Sequence, residues 1–298
     1  MQRRNFITAT ALCAVAVSTS GFIRFNGKNF EGDCETTTDI LGPFYRPDAP
    51  LRTDMRIINA KGQQVILSGK IKHKDCKTAL KNACVEIWHC DGDGVYDNDS
   101  ADFKYRAKAY ADENGNYSFN TIIPVPYGVG GGVVRPAHYH LMFSAGGYQS
   151  LITQLYFTGD KYIAKDASAS SPSAKKRILN IADGKNGEKA VTFNVTMLDK
   201  IPADITVINR LAGTYINAIN KEQQETFYRK DNLIWIKDAE SINGGYPLLY
   251  NGNNIFEQYG STDTSYLFTL QSNGSVKVIY TKIKEDNTKE IWEAVKVK

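Results

Sequence analysis

Arg135-Pro136-Ala137-His138-Tyr139-His140 is the stretch from which the rest of the chain is read. It holds two of the four histidines. Residues i and i+2 of a β-strand point to the same face. His138 and His140 are therefore expected to present two imidazoles side by side, with Tyr139 turned the other way. Two imidazoles on one face are a metal-site hypothesis, and a histidine pair packed or exposed in an ordinary strand is the plain alternative. Just upstream, Gly128 to Gly132 form a glycine-rich link to Tyr127, which Pro124, Pro126 and Gly128 place in a loop.

The segments around this stretch read as strands. Gln64 to Ile71 and Ala83 to Cys90 are two runs joined by a polar, turn-like segment, and are expected to pair as a hairpin. In the second run Val85, Ile87 and His89 share one face, and Glu86, Trp88 and Cys90 the other. Asp91-Gly92-Asp93-Gly94 forces a turn before Val95-Tyr96. Its acidic residues suggest a calcium loop only superficially, because the glycine and glutamate spacing is wrong. Asn114-Gly115, between Tyr110 and Tyr117, signals another hairpin. Leu151 to Phe157 and Val191 to Met197 are further strands, and one helical turn is expected around Ala174 to Ile181. Many short strands with turn signals and little helix predict an all-β sandwich. Residues 22–60 read as an extended arm that wraps the core or lines a cleft.

After about Lys200 the composition shifts: residues 211–298 carry neither histidine nor cysteine. Leu233-Ile234-Trp235-Ile236, Pro247 to Tyr250, Tyr266 to Leu270, Val276 to Tyr280 and Trp292 to Val297 read as strands. Asn273-Gly274 is expected as a two-residue hairpin turn. The expected organisation is a leader over 1–21, a β-sandwich with its arm over 22–200, and a small second β domain over 201–298.

The leader has Arg3 and Arg4, then the apolar run Ile7 to Val17, then small residues. This is the pattern of an export signal, too short to span a bilayer, and Arg3-Arg4-Asn5-Phe6-Ile7 also fits the twin-arginine route. No later stretch is long and apolar enough to be a transmembrane helix. Export favours disulfides among Cys34, Cys76, Cys84 and Cys90, with the pairing open. A zinc cluster is the weaker reading, since no Cys-x2-Cys pair occurs. The 36 Lys and Arg against 32 Asp and Glu leave a net charge of +4, too small and too evenly spread to indicate nucleic acid as a partner.

Tyr96 and Tyr127 turn the histidine pair into a chemical argument. Phenolate is a hard anionic ligand, so two phenolates with two neutral imidazoles suit Fe(III) better than zinc or copper(I). A free tyrosine ionises near pH ~10, and it becomes a ligand at neutral pH when a strong Lewis acid displaces its proton. With 17 tyrosines present, packing is the ordinary role of any one of them. An Fe(II) facial triad would need a carboxylate beside the histidines, and none is adjacent.

The chain resembles the intradiol ring-cleavage dioxygenases from about Thr36 to Met197. The resemblance is carried by Gly42-Pro43-Phe44-Tyr45, Val85-Glu86-Ile87-Trp88 leading to Gly94-Val95-Tyr96, Gly115 to Ile122, Pro126-Tyr127, Arg135 to His140 and Thr153 to Phe157. It implies a non-haem Fe(III) site with Tyr96, Tyr127, His138 and His140 as ligands, and a catechol and O2 as substrates. It also implies a substrate-proton acceptor in Tyr127, a charge-stabilising cation in Arg135, a secondary role for Gln154, and a cis,cis-muconate-type product. A homo-oligomer is compatible with it. The link from Tyr127 to His138 is shorter and more glycine-rich than in protocatechuate dioxygenase subunits, which leaves the catechol open. A non-catalytic exported sandwich that binds a carbohydrate or a surface partner is the alternative. It is expected to have lost at least one of the five residues, and all five are present.

Overall fold

In the computed structural model the described residues are 24–25, 30–31, 36–184, 188–230, 233–238, 244–258, 264–284 and 288–297. The leader expected over 1–21 lies outside them, as do Cys34 and the start of the arm.

Two sheets form a sandwich. The first has the strand order Ile178–Leu179, Leu151–Phe157, His138–Ser144, Cys84–Trp88, Arg106–Tyr110. The second has the order Ala182–Asp183, Lys189–Thr192, Gln63–Lys72, Val195–Thr196, and Asn116–Ile123 also pairs with Gln63–Lys72. Alternation decides what lies between the sheets. Val65, Leu67, Val85, Ile87, Phe119, Tyr139, Leu141, Phe143 and Leu155 are buried there in one continuous core. Full burial of each such side chain is worth roughly 1.5–3 kcal/mol.

Both expected hairpins in the sandwich are corrected. Gln63–Lys72 and Cys84–Trp88 lie in different sheets, and so do Arg106–Tyr110 and Asn116–Ile123. Gly115, at φ +74°, makes the expected turn, but the turn carries the chain from one sheet to the other. Turn chemistry reverses the chain without choosing its next partner, and here burial of Tyr117 and Phe119 selects the opposite sheet.

The first sheet is buried on both faces. The reason is the arm, which crosses its outer face and donates Asp39 N to Ile152 O at 2.9 Å and Arg52 N to Lys108 O at 3.0 Å, before Met55 N reaches Asn120 O of the second sheet at 2.9 Å. The helical turn expected around Ala174 to Ile181 is a 3-10 segment, Pro172–Arg177, followed by the short strand Ile178–Leu179.

The C-terminal strands close into an eight-stranded barrel, from Gly213–Asn217 round to Lys289–Lys296, which pairs back onto the first strand. Tyr215, Phe227, Phe256, Tyr266 and Phe268 fill it. All five expected strands are present. Gly213–Asn217, Gln224–Lys230 and Ile255–Gln258 were missed because polar residues dilute their alternation. A helix, Ile205–Leu211, was missed too. It is capped by Asp204, whose carboxylate accepts from Thr206 N at 2.6 Å, and it buries Ile208 and Leu211 against the barrel core. The loop around Asn273-Gly274 joins the strands Thr264–Leu270 and Val276–Ile283 as an antiparallel hairpin. It runs from Gln271 to Ser275, longer than two residues; Gln271 N donates to Ser275 O at 2.8 Å, and Asn273 Oδ1 accepts from Ser275 N at 2.9 Å. Among the described residues no helix is long and apolar enough to cross a membrane.

The cysteines do not follow the expected pattern of two bridges. Cys76 is disulfide-bonded. Cys84 and Cys90 are free. Six residues apart along one extended segment, they are separated by ~20 Å at strand rise, far beyond disulfide reach. Cys90 is buried and its thiol donates to Val125 O at 3.5 Å.

Candidate active site

The site lies on the outer face of the first sheet. Register puts Trp88 and Gln154 opposite His140, and Tyr156 opposite His138. Residues directly opposite share a face, so His138, His140, Trp88, Gln154 and Tyr156 project together, away from the core side chains Tyr139 and Leu141.

Two loops complete it. After Trp88 the chain turns through Asp91 to Gly94, where Asp91 Oδ1 accepts from Asp93 N and Val95 N, each at 2.9 Å. This is a plain turn, with Asp93 paired to Lys61 at 2.5 Å. Gly94 has φ +82°, and a Cβ there would sit 3.0 Å from Tyr127 Cβ. The turn thus brings Tyr96 against Tyr127, with ring centroids 5.4 Å apart. The second loop is a two-stranded hairpin, Tyr127–Gly130 with Val133–Arg135, whose register sets Tyr127 opposite Arg135. The glycine link is the tip of this hairpin.

The four expected donors converge. His138 Nε2 lies 3.2 Å from His140 Nε2, 3.5 Å from Tyr96 Oη and 3.5 Å from Tyr127 Oη. His138 Nδ1 is 2.6 Å from Pro136 O. A carbonyl only accepts, so Nδ1 carries the proton and Nε2 keeps its lone pair. That lone pair points at the meeting place of the other three atoms. His138 and His140 are each 1% exposed and Tyr96 is 7% exposed.

Burial keeps all four groups neutral in the bare protein. It depresses the pKa of His138 to about 4, with Arg135 adding to the effect, and holds that of His140 well below the usual imidazole range, with His138 adding to the effect. It pushes both phenols up, Tyr96 most strongly, where neighbouring Tyr127 adds to the effect. Neutral imidazoles are ready to ligate, whereas the phenols need a cation to displace their protons. Two neutral imidazoles, two phenols and no carboxylate fit a hard trivalent ion such as Fe(III). His140 Nδ1 is buried without a partner, so the protein itself assigns that ring no tautomer. No group of three or more His, Cys, Asp or Glu that could hold a metal occurs among the described residues, as expected of a site half made of phenols.

An apolar wall surrounds the donors: Trp88, Leu41, Phe44, Tyr45 and Met142. Trp88 stacks on His140 at 5.0 Å and 6°, and Phe44 on Tyr96 at 4.4 Å and 23°. The arm therefore lines the cleft as well as wrapping the sheet. Its closest approach is Gly42, at φ +75°, where a Cβ would come within 2.8 Å of His140 Cε1. Gly42→Ala is expected to push the arm off the ring. The outcome to look for is iron affinity lower by about 10-fold or more, comparable to loss of an outer-shell support, measured by chelator competition.

Sequence reasoning missed several supporting residues. Arg106 is fully buried and donates to Asp97 O at 2.7 Å, Phe44 O at 2.6 Å and Asn98 Oδ1 at 3.0 Å, tying the Tyr96 loop to the arm. Arg177 pairs with Asp39 in the interior and donates to Gln154 O at 3.0 Å. Asp166 pairs with Arg135 at 2.6 Å. Gln154, for which the resemblance implied a secondary role, accepts from Arg135 Nη2 at 2.9 Å through Oε1 and donates to Ile40 O at 2.8 Å, so it supports Arg135 and the arm. His89, on the core face, is satisfied by Cys90 O at 2.7 Å and Thr121 Oγ1 at 2.8 Å.

Fold and site together define a class: an all-β sandwich with a buried donor set of two tyrosines and two histidines on the outer face of one sheet. A family model described as Dioxygenase matches residues 40–199, more than half of the chain. The chain belongs to this family, the intradiol dioxygenases. Hydroxyquinol 1,2-dioxygenase of Corynebacterium glutamicum is 32% identical over 177 residues, covering 53% of this chain and 56% of that protein. Catechol 1,2-dioxygenase of Candida albicans is 34% identical over 153 residues, covering 44% and 50%. Among solved structures, catechol 1,2-dioxygenase from Acinetobacter radioresistens superposes with a TM-score of 0.51 at 27% identity, over 56% of this chain and 63% of that one. The chain thus spans little more than half the length of these relatives. The family match ends before the barrel.

Proposed function

We propose that the protein is an exported Fe(III)-dependent dioxygenase that cleaves a catechol-type ring between its two hydroxylated carbons. One O2 is consumed and both its atoms enter the product, so that a catechol yields a cis,cis-muconate-type diacid with two more oxygen atoms and no change in carbon or hydrogen. The observation that carries this reading is the convergence of Tyr96, Tyr127, His138 and His140 on one buried point beside the Arg135 cation. The names of the relatives, 1,2-dioxygenases of catechol and hydroxyquinol, support the reaction class. The leader supports export.

Fe(III) held by these four side chains would supply Lewis acidity and a template that makes a bound catechol reactive toward O2. The protein's own residues do the rest. Tyr127 is the more exposed of the two phenols and sits on the hairpin, so its Oη, deprotonated when it holds the ion, would be placed to take up a proton from the incoming catechol hydroxyl. Leu41, Phe44, Trp88 and Met142 exclude water and offer apolar contact to the ring. Arg135 is permanently charged and stabilises negative charge that develops on substrate oxygen.

The test is O2 uptake and product analysis with iron-loaded protein on a panel of catechol, protocatechuate, hydroxyquinol and larger catechols. Stoichiometric uptake with a ring-opened diacid is the expected result, and no turnover of any catechol would refute the reading. Arg135→Ala should retain iron and lose about 10²–10³-fold in kcat, the range found when a charge-stabilising donor is removed. A binding module in place of an enzyme has no observation in its favour here, since no member of the site is missing.

A further inference from the structure

Arg135 has five N–H donors in a rigid planar fork, and the structure shows where most of them go. Nε donates to Asp166 Oδ2 at 2.6 Å. Nη2 donates to Gln154 Oε1 at 2.9 Å, with Tyr156 Oη and Asp166 Oδ1 each at 3.5 Å. Nη1 has no protein acceptor among the described residues. The guanidinium is thus held along one edge, and its remaining nitrogen is left unengaged by the described residues.

Asp166 is itself fixed. Its Oδ1 accepts from Ser168 N at 3.1 Å and Ala169 N at 2.8 Å, and its backbone carbonyl accepts from Ser170 N at 2.9 Å. The side chain is 4% exposed against 13% for that of Arg135. A carboxylate locked by its own turn, in a buried pair with a long flexible side chain, sets the direction of that side chain.

We infer that Asp166 is a positioning residue of the dioxygenase site: it pins the Nε–Nη2 edge of Arg135 and so presents Nη1 to the substrate oxygens. This rests on the reading under Proposed function. Gln154 alone cannot do the task, because a single acceptor leaves the fork free to rotate about one contact. Asp166 also neutralises part of the Arg135 charge in the interior, which keeps a buried cation from being stranded when no substrate is bound.

The experiment compares wild type, Asp166→Ala, Asp166→Asn, Asp166→Glu, Arg135→Ala and the Arg135→Ala/Asp166→Ala pair, all iron-loaded. Iron content and visible spectrum are measured beside kcat and KM. Asp166→Ala is expected to keep iron and spectrum and to lose about 10- to 100-fold in kcat, the range for removing an outer-shell support, with a much smaller change in KM. Asp166→Asn keeps the shape but sets an amide against the Arg135 edge, and is expected to fall in the same range even if the alanine variant does not fold. Asp166→Glu should recover part of the rate. The double variant should be no slower than Arg135→Ala alone, because Asp166 acts only through that residue. Unchanged kcat in Asp166→Asn would overturn the inference, as would losses that multiply in the double variant or a rate loss that only tracks lost iron. Wild type that binds iron and cleaves no catechol would instead refute the reading under Proposed function, and this inference with it.

Discussion

His138→Ala is expected to abolish Fe(III) retention and ring cleavage together, with activity down by about 10³-fold or more. Removing an outer-shell support of a metal ligand typically costs about 10- to 100-fold in metal affinity or activity, and this change removes a proposed ligand itself. His138 is the hub of the donor set, since the three other donor atoms lie within 3.2–3.5 Å of its Nε2. Its ring is fixed by the 2.6 Å bond from Nδ1 to Pro136 O, in a strand buried on both faces. Little is left to move in and compensate. The fold should survive, because the ring lies on the outer face and the core neighbours Tyr139 and Leu141 are untouched. The check is metal analysis beside circular dichroism. Loss of iron with retained structure is the expected pair of results, and retained iron would remove His138 from the site.

Arg177→Ala is expected to give the largest loss of stability, about 3–5 kcal/mol, because it strands the Asp39 carboxylate in the interior. Both side chains are nearly fully buried, at 2% and 4% exposed. Arg177 also donates to Thr37 Oγ1 at 3.0 Å and to Gln154 O at 3.0 Å, and Asp39 accepts from Tyr156 Oη at 2.9 Å. The pair thus fastens the arm to the strand Leu151–Phe157, whose site face carries Gln154 and Tyr156. Arm loss should follow, and with it Gly42 and Phe44 from the rim of the site. Chemical denaturation measures the loss. Replacing both partners together by apolar residues should cost much less than the single change, since no charge is then left unpaired. A single variant as stable as wild type would show that water reaches Asp39.

The sequence made the donors legible and left their supports hidden, for a physical reason. His138 and His140 announce a shared face by period-2 spacing, and Tyr96 and Tyr127 follow turn residues that are strong local signals. Gly94 and Gly42 each stand where a Cβ would collide with a site residue. The pairing of Asp39 with Arg177 spans 138 positions, and that of Arg135 with Asp166 spans 31. No local pattern encodes such partners, which are decided only when the arm and the 159–171 loop settle on the sheet. The same holds for strand pairing. Asn114-Gly115 told correctly of a turn and wrongly of a hairpin, because the turn does not know which sheet waits on the far side. In the barrel, apolar alternation exposed five strands. The polar strand Gln224–Lys230 and the closure of Lys289–Lys296 onto Gly213–Asn217 depend on nonlocal registry.

The proposed site holds one Fe(III) between two phenols and two imidazoles. The most direct test is titration of metal-free protein with Fe(III), followed in the visible. One equivalent should produce a broad tyrosinate-to-iron charge-transfer band that saturates at one iron per chain, shifted or weakened in Tyr96→Phe and in Tyr127→Phe. A protein that stays colourless, or whose band is unchanged in both phenylalanine variants, would contradict it.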